Sequence, residues 1–176
     1  LVHSYTDLND PFHLEYEYIR IYEEMVRWQA EKRKSFKSLF VGGGGYTFSR
    51  FIEAKYSKAD VDVVEIDPEV TRVAHKYLGV TKDSRIHSYN EDARWFVMSC
   101  KEKARYDFIF GDAFNDLSIP YHLTTKEFVM QLKGLLKPDG LLLANVIDSF
   151  KVGQFMPSYI RTLEEVFGKG NVYLIT

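Results

Sequence analysis

The feature that most constrains the fold of this chain is a regular alternation of short apolar runs with stretches of helical periodicity. In four stretches apolar residues recur with the spacing of one helix face, as at Phe48, Phe51 and Ile52. The apolar runs, which are rich in β-branched residues, span residues 38–41, 61–66, 85–89, 106–110, 141–147 and 171–175. Strands that alternate with helices in this way predict βαβ units. We therefore predict an α/β fold, a Rossmann-like three-layer sandwich whose mostly parallel sheet is flanked by helices.

The N-terminal residues have a different pattern. Residues 15–34 are typical of one amphipathic helix, which ends in the basic cluster of residues 31–34. We expect this cluster to be a solvated helix end, where cations suit the negative pole of the helix dipole. Residues 1–35 are predicted to form a loop and a helix that pack on the core, and residues 36–176 a single nucleotide-binding domain. Because residue 1 is Leu, we expect a fragment of a longer protein.

Composition and charge exclude several classes of protein. The 176 residues include 23 Lys and Arg and 25 Asp and Glu, which gives a net charge of −2, so we expect no nucleic-acid partner. No apolar run reaches the ~18 residues that a membrane span needs. The single cysteine, Cys100, excludes an intrachain disulfide and a multi-cysteine zinc site. We therefore expect a cytoplasmic chain that uses no metal.

Candidate binding residues follow the strands, since ligands of open α/β sheets bind outside the carboxyl ends of the strands. The first strand leads into Gly42-Gly43-Gly44-Gly45, where a ligand can approach the backbone without meeting a Cβ. Glu65 ends the second strand, 24 residues after Val41, close to the ~20 residues at which an acid meets ribose hydroxyls in nucleotide-binding units. Asp67 precedes Pro68, which indicates a helix cap.

Two further strand ends carry acids. Asp92, followed by Ala93, lies at a helix start, so it is either a cap or a partner for an adenine amino group. After the fourth strand the chain carries Asp112, Asn115, Asp116 and Tyr121. Of these, Asp112 is the candidate for a group that reacts opposite the cofactor.

The type of nucleotide is narrowed by what the glycine loop lacks. Thr47 occupies the third glycine position of a dinucleotide fingerprint, and the sequence has no triphosphate P-loop. Lys and Arg are absent from the loop, which indicates a ligand without strong negative charge. The acids at the strand ends instead suit a cation, such as a sulfonium or an alkyl ammonium. S-adenosylmethionine and its decarboxylated form both fit this pattern.

With these residues in view, the stretch from Tyr22 to Ile147 resembles the catalytic domain of the spermidine synthase (polyamine aminopropyltransferase) family, which has the class I methyltransferase fold. The matching segments are Tyr22-Glu23-Glu24-Met25, the Gly42 loop, residues 64–67, the Asp92 turn, residues 106–109 before Asp112, and residues 123–128 and 136–140. The resemblance implies a transferase of polyamine biosynthesis. Such an enzyme moves an aminopropyl group from decarboxylated S-adenosylmethionine to a small-molecule amine.

The resemblance also implies roles for the candidate residues. It assigns cofactor binding to Gly42, Gly43, Gly44, Gly45, Glu65, Asp92, Ala93 and Asp112. Glu65 would bind the ribose, Asp92 the adenine, and Asp112 would be the acid at the transfer centre. Tyr22 would help to hold the accepting amine, as a second catalytic residue. Substrate binding would fall to Asn115, Asp116 and Tyr121, and a homodimer is one implied assembly.

Departures from the family's pattern leave other functions open. The family's glycine loop usually carries, after its third glycine, an Asp that helps to hold the aminopropyl ammonium, and here that residue is Gly45. The β-hairpin that precedes the domain in typical members has no counterpart in these residues. One alternative is therefore an S-adenosylmethionine-dependent methyltransferase. Another is a non-catalytic nucleoside-binding domain, attached to a membrane segment in a longer protein.

Overall fold

Strands and helices alternate along the chain in the computed structural model, which describes residues 4–113, 120–148 and 153–175. The strands are β1 (Phe36–Val41), β2 (Ala59–Glu65), β3 (Ile86–Asn90), β4 (Tyr106–Gly111) and β5 (Leu136–Ala144). The helices are α1 (Glu17–Ala30), α2 (Thr47–Lys55), α3 (Pro68–Tyr77), α4 (Ala93–Ser99), α5 (Lys126–Leu135) and α6 (Phe155–Phe167). Short 3-10 helices cover Tyr121–Leu123 and Lys169–Asn171.

The order of the strands determines where a ligand can bind. All neighbouring strands pair in parallel, in the order β3-β2-β1-β4-β5. The chain moves outward from β1 to β3 and then returns to the other side of β1, so the order reverses between β1 and β4. Such a switch point is where open α/β sheets bind ligands, outside the carboxyl ends of the strands. Val41 of β1 pairs with Gly111 of β4 at this point.

Helices cover both faces of the sheet, because the strands are apolar on both sides. One face packs against α1, α2 and α3 through Ile19, Tyr22, Val26, Phe48, Ile52 and Ala74. The other face packs against α4, α5 and α6 through Ala93, Phe96, Phe128, Leu132 and Phe167. The predicted α/β fold, with its flanking helices and its N-terminal helix, is therefore confirmed.

The N-terminal helix is shorter than predicted, and its basic cluster is not wholly solvated. The prediction placed the helix over residues 15–34, whereas α1 runs from Glu17 to Ala30. Arg33 pairs with Asp107 of β4, a residue with no exposed surface, and with Asp139. The expectation of a solvated helix end is therefore wrong for Arg33, because this guanidinium neutralises a buried carboxylate.

Two predicted strands differ from the observed ones. The segment 171–175 was expected to be a strand, but the chain there leaves a 3-10 helix and forms no ladder with the described strands, and Tyr173 is 83% exposed. Apolar β-branched residues favour a strand only where a neighbouring strand can pair with them. β5 spans 136–144 rather than 141–147. Its register against β4 shifts after Leu136, so that residues 137–140 bulge out of the ladder.

Candidate active site

The glycine loop follows β1 and touches the ends of both neighbouring strands. Gly42 has a φ of +98°, and its N–H donates to the carbonyl of Val64 at 2.9 Å. A Cβ on Gly42 would lie 2.7 Å from the carbonyl oxygen of Asp112, so this close approach of backbones requires glycine. Gly44 has a φ of +48°, and a Cβ there would have no heavy atom within 4 Å. The loop therefore presents bare backbone to open space at Gly44.

Packing within the protein accounts for the other two glycines. A Cβ on Gly43 would lie 2.6 Å from the ring of Tyr46, and one on Gly45 would lie 2.8 Å from the hydroxyl of Ser4. The hydroxyl of Thr6 donates to the carbonyl of Gly45 at 2.8 Å. The N-terminal segment thus lies directly on the loop. Part of the glycine content serves this contact, and the loop's role in cofactor binding stays a prediction.

Glu65 holds the glycine loop in place. Its Oε2 accepts hydrogen bonds from the N–H groups of Gly43 (2.8 Å) and Gly44 (3.4 Å). Its Oε1 accepts one from the N–H of Asp67 at 2.9 Å. A carboxylate has about four acceptor sites, so these bonds leave capacity for a ribose hydroxyl. Binding of the ribose by Glu65 stays a prediction, while its contact with the loop is observed.

Asp92 caps α4 and also bridges to a distant segment. Its Oδ1 accepts from the N–H groups of Arg94 (2.9 Å) and Trp95 (3.1 Å), and its Oδ2 lies 2.8 Å from Nε2 of His122. Burial acts to raise the pKa of Asp92, but the hydrogen bonds from His122 and the two amides outweigh it and hold this pKa below its ordinary value. The cap interpretation is confirmed. The adenine role of Asp92 and Ala93 stays a prediction.

Replacing Asp92 with alanine is expected to lower the free energy of unfolding at pH 7 by about 1 to 2 kcal/mol, because the α4 cap is lost. A carboxyl whose pKa is lowered in the folded state stabilises it above the ordinary carboxyl pKa, and this contribution is lost as the pH falls through the lowered value. The difference between D92A and the wild type should therefore shrink at pH 3. Urea unfolding at both pH values measures it.

The matched control for this measurement is Asp67, which caps α3 by accepting from the N–H of Glu69 at 2.8 Å and confirms the predicted cap there. In D67A the cap is lost without any loss of a contact to His122. We expect D92A to lower the free energy of unfolding at pH 7 by more than D67A does. Equal costs would contradict a contribution from the pairing of Asp92 with His122.

Asp112 lies at the switch point, just beyond β4. Its N–H donates to the carbonyl of Val41 at 3.0 Å. Its Oδ2 accepts from the hydroxyl of Tyr18 at 2.7 Å, and its Oδ1 accepts from Nδ2 of Asn145 at 3.1 Å. Burial raises the pKa of Asp112, and the two hydrogen bonds oppose this effect without cancelling it. Because both donors are neutral, the carboxylate is suited to pair with a cationic ligand.

Tyr22 lies close to Asp112 and is 6% exposed. Its ring centroid lies 5.3 Å from that of Phe110, and its hydroxyl has no hydrogen-bond partner among the described residues. Burial, followed by the influence of Asp112, Tyr18 and Tyr159, raises the pKa of Tyr22 well above its usual range. The hydroxyl therefore stays protonated. A buried polar group without a partner is costly, and a ligand amine could supply the missing partner.

Of the three predicted substrate residues, only Tyr121 lies within the described residues. Asn115 and Asp116 lie outside the described residues. Tyr121 is 84% exposed, and its ring faces that of His122 at 5.8 Å. Its substrate role stays a prediction.

Sequence reasoning missed Tyr18 and Asn145, and it assigned no role to His122. A signal for Tyr18 was available, since it precedes Tyr22 by four residues and so shares a helix face with it. Asn145 directly follows β5, but the strand predicted over residues 141–147 placed it inside the strand, and its contact with Asp112 spans 33 residues of sequence. Within residues 4–113, 120–148 and 153–175, no helix is long and apolar enough to span a bilayer. In the same ranges no His, Cys, Asp and Glu side chains form a group that could hold a metal.

The sequence also matches a known protein family. The family model described as "Spermine/spermidine synthase domain" matches residues 20–176. The chain belongs to the spermine/spermidine synthase family. A polyamine aminopropyltransferase of Vibrio vulnificus is 35% identical over 132 residues, which cover 74% of this chain and 43% of that protein. The aligned part of this family member therefore covers less than half the length of that relative.

Solved structures agree with this membership. A probable spermidine synthase from Corynebacterium glutamicum has a TM-score of 0.82 and 28% identity, covering 90% of this chain and 57% of that one. A spermidine synthase in complex with the transition state analogue AdoDATO has a TM-score of 0.65 and 27% identity, with coverage of 76% and 46%. An eEF1A lysine and N-terminal methyltransferase homolog of Drosophila melanogaster is also 30% identical over 116 residues, covering 62% of this chain and 17% of that protein.

Proposed function

We propose that this chain transfers an aminopropyl group from decarboxylated S-adenosylmethionine to a small-molecule amine. The observation that carries the proposal is Asp112, a buried carboxylate at the switch point of the sheet whose two observed side-chain partners are neutral. Such a group favours a cationic ligand. The hydroxyl of Tyr22, which has no hydrogen-bond partner among the described residues, lies near the same carboxylate. The named activity of the polyamine aminopropyltransferase relatives supports the same reaction.

The residues around the switch point fit an adenosine-containing cofactor. Gly44 offers backbone with no Cβ above it, and Glu65 keeps acceptor capacity beside the loop. Asp92 caps α4 and Ala93 begins it, at the next strand end, where we expect the adenine to bind. When bound, the cofactor supplies a sulfonium that activates the neighbouring methylene carbon.

Asp112 would act on the accepting amine in two ways. An alkyl amine has a pKa near ~10 and arrives as an ammonium, which the buried carboxylate binds and orients. Burial raises the pKa of Asp112, so this group accepts a proton more readily than an exposed Asp does. With that proton on Asp112, the neutral nitrogen would be able to attack the methylene carbon that the sulfonium activates, and methylthioadenosine would be the leaving group. The hydroxyl oxygen of Tyr22 would position the nitrogen by accepting a hydrogen bond from one of its N–H groups.

Methyl transfer is a second candidate function, favoured by the neighbours of Gly45. Where the family usually has an acid, this chain has a glycine flanked by the hydroxyls of Ser4 and Thr6. Neutral hydroxyls do not repel the carboxylate of intact S-adenosylmethionine, and a hydroxyl can donate a hydrogen bond to it. The similarity to a methyltransferase homolog supports the same alternative.

Calorimetric titration of the chain with both forms of the cofactor separates these functions. We expect the decarboxylated form to bind more tightly, by about tenfold or more, because both forms carry an ammonium and only the intact form adds a carboxylate, which the acids at the strand ends would repel. Methylthioadenosine, which lacks both groups, is the control for adenosine binding. Tighter binding of the intact form would favour methyl transfer. Lack of binding by all three would contradict both transfer reactions.

The assembly and the compartment of the chain are also proposals. Cys100 is a free, partly buried thiol, which supports a reducing compartment such as the cytoplasm. The family resemblance supports a homodimer. Analytical ultracentrifugation of the chain measures this assembly directly.

A further inference from the structure

Tyr18 lies at the start of α1 and reaches Asp112 across 94 residues of sequence. Its hydroxyl donates to Oδ2 of Asp112 at 2.7 Å. The ring is held in place by its neighbours: it meets Tyr22 edge to face at 5.6 Å and stacks on Tyr16 at 6.2 Å. Aromatic contacts of this kind restrict ring orientation. The hydroxyl is therefore aimed at the carboxylate by packing on α1.

The hydrogen bond is directional because the hydroxyl stays protonated. Burial and the proximity of Asp112 raise the pKa of Tyr18 far above its usual range. The phenol therefore stays protonated and donates to the ionised carboxylate. Asn145 supplies the second donor, to the other carboxylate oxygen, and an amide nitrogen cannot act as an acceptor. Both bonds therefore favour the ionised form of Asp112 over the protonated form.

The groups around Asp112 make the hydrogen bond from Tyr18 important for the ionisation of this carboxylate. The polar or titratable groups that face it are Tyr18 and Tyr22 from α1 and Asn145 after β5, with Tyr159 of α6 acting on Tyr22. Among the described residues, none of these groups carries a positive charge. The ionised carboxylate thus depends on neutral donors to offset its burial.

We propose that Tyr18 is a positioning residue for Asp112: its hydroxyl fixes Oδ2 and keeps the carboxylate ionised, so that the remaining lone pairs face the incoming ammonium. This inference rests on the proposed function for the ammonium. The contact between Tyr18 and Asp112 and its effect on ionisation stand on the geometry alone. Tyr22 differs from Tyr18, because its hydroxyl has no hydrogen-bond partner in the part of the chain that the structure describes.

The test removes only the hydroxyl, in Tyr18→Phe. The carboxyl carbon of Asp112 is followed by NMR in the chain labelled with carbon-13 aspartate, and its resonance is assigned by its loss in Asp112→Asn. We expect the titration midpoint of Asp112 to move to higher pH in Y18F, because a hydrogen bond to the ionised form is lost. Tyr77→Phe, on an exposed tyrosine of α3, is the matched control and should leave the midpoint unchanged. Thermal melting verifies that each variant is folded.

Kinetics give the second readout. In Y18F we expect kcat for the amine to fall about tenfold, with the acid limb of kcat/KM moved to higher pH and KM for the decarboxylated cofactor unchanged. An unchanged NMR midpoint in folded Y18F would overturn the inference, whatever the activity. If the wild-type chain transfers no aminopropyl group but the Y18F midpoint still rises, the proposed function fails and the positioning of Asp112 by Tyr18 stands.

Discussion

In Asp112→Asn, turnover is expected to fall by about 10² to 10⁴ while methylthioadenosine still binds with unchanged affinity. The amide cannot accept the proton of the amine, and general-base catalysis is typically worth this factor. It also carries no charge to hold the ammonium. Asn keeps the size of the side chain and an oxygen that can accept from Tyr18. Release of methylthioadenosine from decarboxylated S-adenosylmethionine and an amine measures the turnover.

Stability should change in the opposite direction to activity. Because burial raises the pKa of Asp112, the folded protein holds this proton to higher pH than the unfolded chain does. The contribution of Asp112 to stability is therefore present below its ordinary pKa and is lost as the pH rises through the folded value. We expect D112N to melt at the same temperature as the wild type or higher at pH 7. Asp83→Asn, on an exposed loop, is the charge-matched control, and turnover in D112N equal to that of D83N would remove Asp112 from the mechanism.

Replacing Asp107 with alanine is expected to destabilise the fold by about 3 to 5 kcal/mol. Asp107 has no exposed surface and accepts from the guanidinium of Arg33, from the backbone N–H of Lys37 at 2.8 Å and from Nζ of Lys137 at 2.8 Å. Without the carboxylate, these donors are left partly buried and without their partner. For a chain of this length the loss corresponds to a fall in melting temperature of roughly 6 to 20 °C, which calorimetry or circular dichroism measures.

Asp60 provides the matched control for Asp107. Its side chain is 45% exposed and pairs with Lys37 and His87 at the same edge of the sheet. Exposed pairs of this kind contribute about 0 to 1 kcal/mol, so D60A should melt close to the wild type. A D107A variant no less stable than D60A would contradict the stabilising role of the buried network.

The fold could be predicted from the sequence because local signals and global architecture agree. Parallel strands covered on both faces must be apolar throughout, and the alternation with helices then fixes the fold class. The prediction of a last strand was wrong, because residues 171–175 have strand propensity but no described strand pairs with them. The predicted end of α1 was wrong because Arg33 pairs with a buried carboxylate on β4.

The candidate site was predictable where residue type and strand position coincide. Glycines after β1 and acids after the later strands mark the carboxyl edge of a parallel sheet, and Asp112 was found in this way. The sequence does not reveal which acids are paired. Asp107 and Asp112 lie five residues apart, and only the packing of α1 and β5 determines that the first meets cations and the second meets Tyr18 and Asn145.

The different roles of the two aspartates near the ends of β4 determine where this chain should tolerate substitutions. Asp107 anchors the fold at one end of the strand through Arg33 and Lys137. Asp112 lies at the other end, where its described side-chain partners are neutral and where we propose that the reaction takes place. Mutations that alter the choice of acceptor can therefore accumulate around the second aspartate while the first preserves the scaffold. A library for a new amine should randomise the surroundings of Asp112 and leave those of Asp107 intact.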